Sequence, residues 1–158
     1  FVKGLKPRFC EDKLRLTPNQ LMEKKIALLR FDDLEEYMLD RLETDLTNNL
    51  YYHNVKHTID VVVHIEILGI EEKVSEDEML LLKTAALFHD SGFLIGYKDH
   101  EMLSIQLATE ILPKYSYLPD QIKIINELIY ATRMPHNPKN KLEQIICDAD
   151  LDYLGRND

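Results

Sequence analysis

Apolar residues in this chain recur at intervals of three and four almost throughout, and the two-residue alternation of a half-buried strand is nearly absent. That period confines the chain to helices packed on helices. Thr17, Pro18, Asn19 and Gln20 offer an N-cap, a proline at the first helical position and a glutamine at the third, opening a helix to about Arg30. A second helix, from about Asp33 to Asp45, carries the stripe Leu34, Tyr37, Met38 and Leu42. A third should run from near Asn54 to Leu68, with Gly69 ending it. Ser75 to Glu78 is a capping box for a fourth, whose run "MLLLKTAALF" stops at His89, Asp90, Ser91 and Gly92. A fifth begins near Asp99 and stops before Pro113, and a sixth starts near Pro119 and breaks in the "RMPHNP" loop. A seventh runs from about Lys141 to Leu154. The expectation is all-α: a single-domain bundle of about seven helices over residues 17–158, preceded by an arm of residues 1–16.

With 158 residues, 45% of them hydrophobic and 30% charged, the chain can bury a core without disulfides or a structural metal. Its two cysteines, Cys10 and Cys147, are too few for a disulfide framework and point to a reducing compartment, the cytoplasm. No apolar run approaches the length that spans a bilayer, and a first residue of Phe1 rather than Met reads as a processing or cloning boundary. A net charge of -9 works against nucleic-acid polymers and anionic membranes. Five cations (Lys3, Lys6, Arg8, Lys13 and Arg15) against Glu11 and Asp12 leave the arm at +3 and the rest at -12. An anionic substrate therefore needs a local cation.

Three stretches can supply one. In "YYHNVKHTIDVVVHI", His53, His57, Asp60 and His64 fall within about 60° on a helix turning 100° per residue. Much of the remaining circumference is Val55, Ile59, Val62, Val63 and Ile65. The polar stripe is expected to face inward. His89-Asp90 closes an apolar helix, where the backbone can turn both side chains toward one point; its plainer role is a helix C-cap. In "CDADLDYLG", with Leu142, Ile145, Ile146, Ala149 and Tyr153 taken as the buried stripe, Asp150 lies about 80° from its centre and is best placed to point inward. Asp148 and Asp152 are expected on the far side with Lys141 and Gln144. Imidazole and carboxylate are ligands for a divalent first-row ion, which lowers the pKa of bound water and binds a phosphoryl oxygen.

The order His, then His-Asp, then a late Asp, each on its own helix, resembles the HD superfamily of metal-dependent phosphohydrolases, over about Tyr51 to the C-terminus. The resemblance implies His57, His89, Asp90 and Asp150 as metal ligands, Asp90 being also able to orient or deprotonate water. More narrowly, "YHNVKHTIDV" is similar to a motif of cyclic-nucleotide phosphodiesterases, which implies His53 as the general acid for the leaving oxygen. Two departures stand against cyclic-nucleotide hydrolysis. Phe93 occupies the place of a further histidine, and the sequence stops eight residues after Asp150, before the helices that form the purine pocket. His100, on a face with Leu103, Leu107 and Ile111, either contacts a second metal or phosphate or caps its helix; its "HE...S...A" context resembles the segment supplying extra histidines in binuclear HD proteins. Arg133 is a candidate phosphate clamp. His64 reads as a core histidine and His136, between two prolines, as an exposed loop residue.

The function this implies is hydrolysis of a phosphomonoester or phosphodiester of a nucleotide-like substrate by metal-activated water. Mg, Mn, Fe, Co, Ni and Zn are not distinguished, and a second metal is allowed. The alternative is a non-catalytic or regulatory HD module that binds metal or nucleotide and signals to an adjoining domain. The expected partner is a small phosphorylated molecule rather than a nucleic acid or membrane.

Overall fold

The computed structural model describes residues 17–46 and 54–152; the basic arm, Cys10 and His53 lie outside them. Among the described residues are six α-helices and no strand: α1 (Pro18–Asp45), α2 (Val55–Glu71), α3 (Glu76–Phe88), α4 (His100–Ile111), α5 (Pro119–Ala131) and α6 (Lys141–Leu151). Two 3-10 turns, Ser91–Leu94 and Leu112–Tyr115, flank α4. The all-α expectation holds, and none of these helices is long and apolar enough to cross a membrane.

Two boundaries differ from expectation, each for a physical reason. The break expected between Arg30 and Asp33 is absent, and α1 is one helix of 28 residues. No glycine or proline follows Pro18 within it. Phe31 and Leu34 are buried in line with Met38 and Leu42, while Asp32 and Asp33 face solvent, where acids do not disturb a helix. Likewise, Gly69 does not end α2. It is buried within the helix because a Cβ there would lie 2.5 Å from Met79 Cε. Lys73 takes the left-handed turn instead, at φ 55. The Val74 amide then donates to Gly69 O (3.0 Å) and the Lys73 amide to Ile70 O (3.1 Å), a Schellman motif without its usual glycine.

α3 is the central element. From Leu81 to Phe88 every residue but Lys83 is buried, and the helix packs against α1, α2, α5 and α6. The capping box starts it as expected, with Glu78 N donating to Ser75 Oγ (3.2 Å) and Ser75 N to Glu78 Oε2 (2.7 Å). Leu34, Met38, Ile65, Leu82, Phe88, Ile125, Ile129 and Ile146 meet around it with 0% exposure. Each such side chain contributes about 1.5–3 kcal/mol of transfer free energy. Among the described residues this apolar cluster includes neither His89 nor Asp90. Cys147 is also buried: burial pushes its thiol up to about 11, and its Sγ donates to Ala131 O at 3.2 Å.

Candidate metal centre

Three helices deliver side chains to one point. Asn54 caps α2, its Oδ1 accepting from the His57 amide at 3.0 Å, so the cap fixes the backbone of the histidine in the first turn. α3 ends at Phe88, after which His89 keeps helical angles and Asp90 turns out of the helix at φ -105, ψ 1. This is the turn that lets two consecutive side chains face the same way. α6 brings Asp150 in its last full turn.

The α3 turn is held from behind by α4. Ser104, fully buried, donates from Oγ to His89 O (2.8 Å) and accepts from the Gly92 amide (2.8 Å). Ser91 Oγ donates to Phe88 O (2.8 Å). A Cβ on Gly92 would lie 1.9 Å from His100 O, so only glycine admits this approach of the turn to the start of α4.

At the centre, His57 Nε2 lies 3.3 Å from His89 Nε2, 3.6 Å from Asp90 Oδ2 and 3.1 Å from Asp150 Oδ1. His89 Nε2 lies 3.3 Å from each of Asp90 Oδ2 and Asp150 Oδ1. The Nδ1–H of His89 donates to Ala86 O at 2.8 Å, which in the neutral ring leaves the lone pair on Nε2, aimed at the cluster. Lone pairs thus converge on lone pairs, an arrangement only a cation or a proton relieves. Ligand atoms of His57, His89 and Asp90 all lie within 4.8 Å of one another, a set able to hold a divalent ion.

The protonation pattern follows from that crowding. Burial alone would drive the proton off His89, but the charge of Asp90 and the hydrogen bonds that the protonated ring donates to Asp150 and Asp90 outweigh it and raise the ring well above the usual imidazole value. Burial likewise opposes the charge of Asp150, yet its hydrogen bonds to His57 and His89 hold it far below the usual carboxylate range. A proton on His89 occupies the place of positive charge among these acids.

The remaining candidates are distributed around this centre. His100 does not cap α4; Asp99 is the N-cap, in the left-handed region at φ 53, and His100 is the first helical residue. Its ring stacks on Phe93 (4.1 Å between centroids), and its Nε2 lies 3.4 Å from Asp90 Oδ1 and 3.6 Å from Glu101 Oε1. Asp90 therefore faces the two ligand histidines with one oxygen and His100 with the other. Arg133 is exposed and paired with Asp99 at 3.2 Å. His64 is not a core residue but half-buried, 3.2 Å from Asp152 Oδ2. Asp148 and Asp152 are both exposed, as expected, and Asp152 in addition reaches His64 on α2 from the end of α6. His136 is half-buried against Thr132 O (3.0 Å) rather than exposed. Periodicity gave no sign of the bracing by Ser104 and Gly92 or of the Phe93 stack, because all three act across elements. A glycine directly after His89-Asp90-Ser91 was the one available signal.

The HD domain model matches residues 54–152, the segment that contains all four of His57, His89, Asp90 and Asp150. An uncharacterised protein of Clostridium beijerinckii is 33% identical over 84 residues, 51% of this chain and 53% of that protein, so the match spans about half the relative's length. A crystal structure of a predicted HD superfamily hydrolase from an uncultured Thermotogales bacterium superposes with a TM-score of 0.59 at 22% identity, covering 87% of this chain and 74% of that one; at that identity the likeness is one of fold. With the family model covering well over half of its residues, the chain belongs to the HD domain family.

Proposed function

We propose that this HD domain is a metal-dependent phosphohydrolase that cleaves a phosphomonoester or phosphodiester of a nucleotide-like substrate. The observation that carries the reading is the convergence of His57, His89, Asp90 and Asp150 with a single tautomer imposed on His89. Asp150 is the fourth ligand in this reading and Asp148 plays no part. A divalent ion held there supplies the positive charge an acidic chain lacks, polarising a phosphoryl oxygen and lowering the pKa of water beside it.

The chain's own groups divide the rest of the work. Asp90 keeps Oδ1 on the side of His100, where it can orient water or accept its proton. His100, steadied by Phe93, is placed to contact an incoming phosphate, or would help Asp90 and Glu101 to hold a second cation. Arg133 joins them by leaving Asp99, the residue next to His100. His53, four residues before His57 in the sequence and outside the described residues, serves in this reading as the acid for the leaving oxygen. The substrate is small, and polyanions are disfavoured by the net charge of -9.

The test is elemental analysis together with hydrolysis of bis-nitrophenyl phosphate and a panel of nucleotides under several divalent ions, before and after chelation. Activity that is lost on chelation and restored by one ion is expected. His53→Asn should keep its metal and lose about 10² to 10⁴ in rate on a nucleotide ester. It should lose much less on the nitrophenyl ester, whose leaving group needs little protonation. Stoichiometric metal with no turnover on any substrate would instead favour a regulatory module.

A further inference from the structure

Elsewhere on the bundle, exposed apolar side chains are interspersed with charged ones. From Asp32 to Glu43 the exposed residues of α1 are Asp32, Asp33, Glu36, Asp40 and Glu43, with Tyr37 the one uncharged residue among them, and α5 intersperses Ile124 and Tyr130 with Lys123 and Glu127. α2 does not follow this pattern. Its inner face buries Thr58, Val61, Val62, Ile65 and Gly69, and its half-buried polar strip holds His57 of the metal centre, Asp60, and the His64 that meets Asp152. Its outward face is Ile59, Val63, Ile67 and Ile70, exposed by 42%, 45%, 48% and 73%. Those four β-branched side chains lie within about 80° of one another on the helix. A helix apolar on this much of its circumference is one that is covered on both sides.

The charges at its two ends say by what. Lys56 and Glu71 are exposed, stand on the same flank of the stripe and terminate it at either end. A second α2 laid parallel would set Lys56 against Lys56 and Glu71 against Glu71. Laid antiparallel about a two-fold axis at Val63, it sets Val63 on Val63, Ile59 across from Ile67, and Lys56 beside Glu71, twice. The aliphatic stem of Lys56 then also covers Ile70, the most exposed member of the stripe. We propose that the outward face of α2 is a homodimer interface, occupied by α2 of a second copy in this antiparallel two-fold register. One helix of 17 residues presents a seam about 25 Å long. That is at the small end of specific interfaces, so the dimer is a weak one, with Kd about 1–100 μM.

Sedimentation equilibrium of the metal-loaded protein from about 1 to 500 μM tests this directly, with a reversible monomer–dimer equilibrium expected. Val63→Glu, which places two carboxylates on the axis, should weaken it at least 10-fold with the helical circular dichroism unchanged, since the position is half exposed. Lys56→Glu and Glu71→Lys should each weaken it about 3- to 10-fold. The double variant, which exchanges the charges, should return to the wild-type value. A protein that stays monomeric to 500 μM overturns the proposal, whatever else covers the stripe. So does a dimer indifferent to Val63→Glu, or one that the double variant fails to restore.

Discussion

The two halves of the metal centre are built on different terms. His89 and Asp90 sit on the end of the central helix, 1% and 8% exposed, with the His89 ring fixed by Ala86 O, its carbonyl by Ser104 and the following turn pressed against His100 O through Gly92. His57 and Asp150 come from α2 and α6, two helices packed on each other, each from a terminal turn. For His57 the fixing element is the Asn54 cap on its amide; for Asp150 it is the phase of α6. One half is over-determined by hydrogen bonds that cross between elements, and the other is set by where two helices start and stop. In such a design the first half anchors an ion and the second adjusts around it and around whatever the ion binds.

Removing ligands one at a time breaks this comparison most severely. His89→Ala or Asp90→Ala should abolish metal binding, lowering affinity by more than about 10³, while far-UV circular dichroism keeps its helical form, because the core does not involve the metal. His57→Ala and Asp150→Asn should lose less, about 10- to 100-fold, since the anchor remains. Asp148→Asn, on the exposed face of α6, should change nothing. Competition with a chromophoric chelator measures all five. Stoichiometric metal in Asp90→Ala would sink the assignment, and loss in Asp148→Asn with normal binding in Asp150→Asn would mean that α6 contributes a different carboxylate.

How much of this was legible in the sequence depends on whether a feature is local. The start of α2 near Asn54, the capping box at Ser75, the ends of α3, α4 and α5 and the inward direction of Asp150 all follow from residues within one or two turns, and each is present. The proximity of His57 to His89, 32 residues apart, was reachable only through the family's order of motifs, because no periodicity within one helix encodes which helices meet. The misreadings have the same origin. Asp32-Asp33 looked like a break because acids rarely open a helix's middle, yet the buried stripe continues through them. Gly69 looked like a terminator, and it is a contact point for Met79 from the next helix. The phase of α6 correctly leaves Asp152 at solvent but says nothing of its contact with His64 on α2. Ser104, the residue that braces the anchor, was visible only as one letter of a pattern.

Ser104 accordingly offers the next largest effect. Ser104→Ala leaves His89 O and the Gly92 amide, both buried, without their shared partner. Outer hydrogen bonds of this kind are worth about 10- to 100-fold in metal affinity. Thr109→Ala is the control: its hydroxyl also donates to a carbonyl of α4, Ile105 O at 2.8 Å, but is exposed and far along the helix from the turn. The two variants should differ in metal affinity by at least about 10-fold. Equal affinities would mean that the anchor is held by the packing of Gly92 and not by the serine.

The smallest effect is in the pH dependence of stability, and it distinguishes proton from metal at the same place. In protein stripped of metal, His89 has a folded pKa raised above its unfolded value of about 6.5. Its contribution is therefore fully present below that value and is lost as pH rises through the raised folded pKa. Asp150 is depressed from about 3.9, so its contribution is present above that value and is lost as pH falls. Together the two groups favour the stripped protein between about pH 4 and 6.5. An ion displaces the His89 proton, so the loaded protein gains relative to the stripped one as pH rises. The melting-temperature difference between loaded and stripped protein should widen by a few degrees from pH 6 to pH 8.5, and calorimetry at pH 6 in buffers of different ionisation enthalpy should find about one proton released per ion bound. Parallel melting curves across that range, with no proton released, would show that His89 is already neutral before the ion arrives, and that the carboxylates beside it do less to hold its proton than their 3.3 Å distances imply.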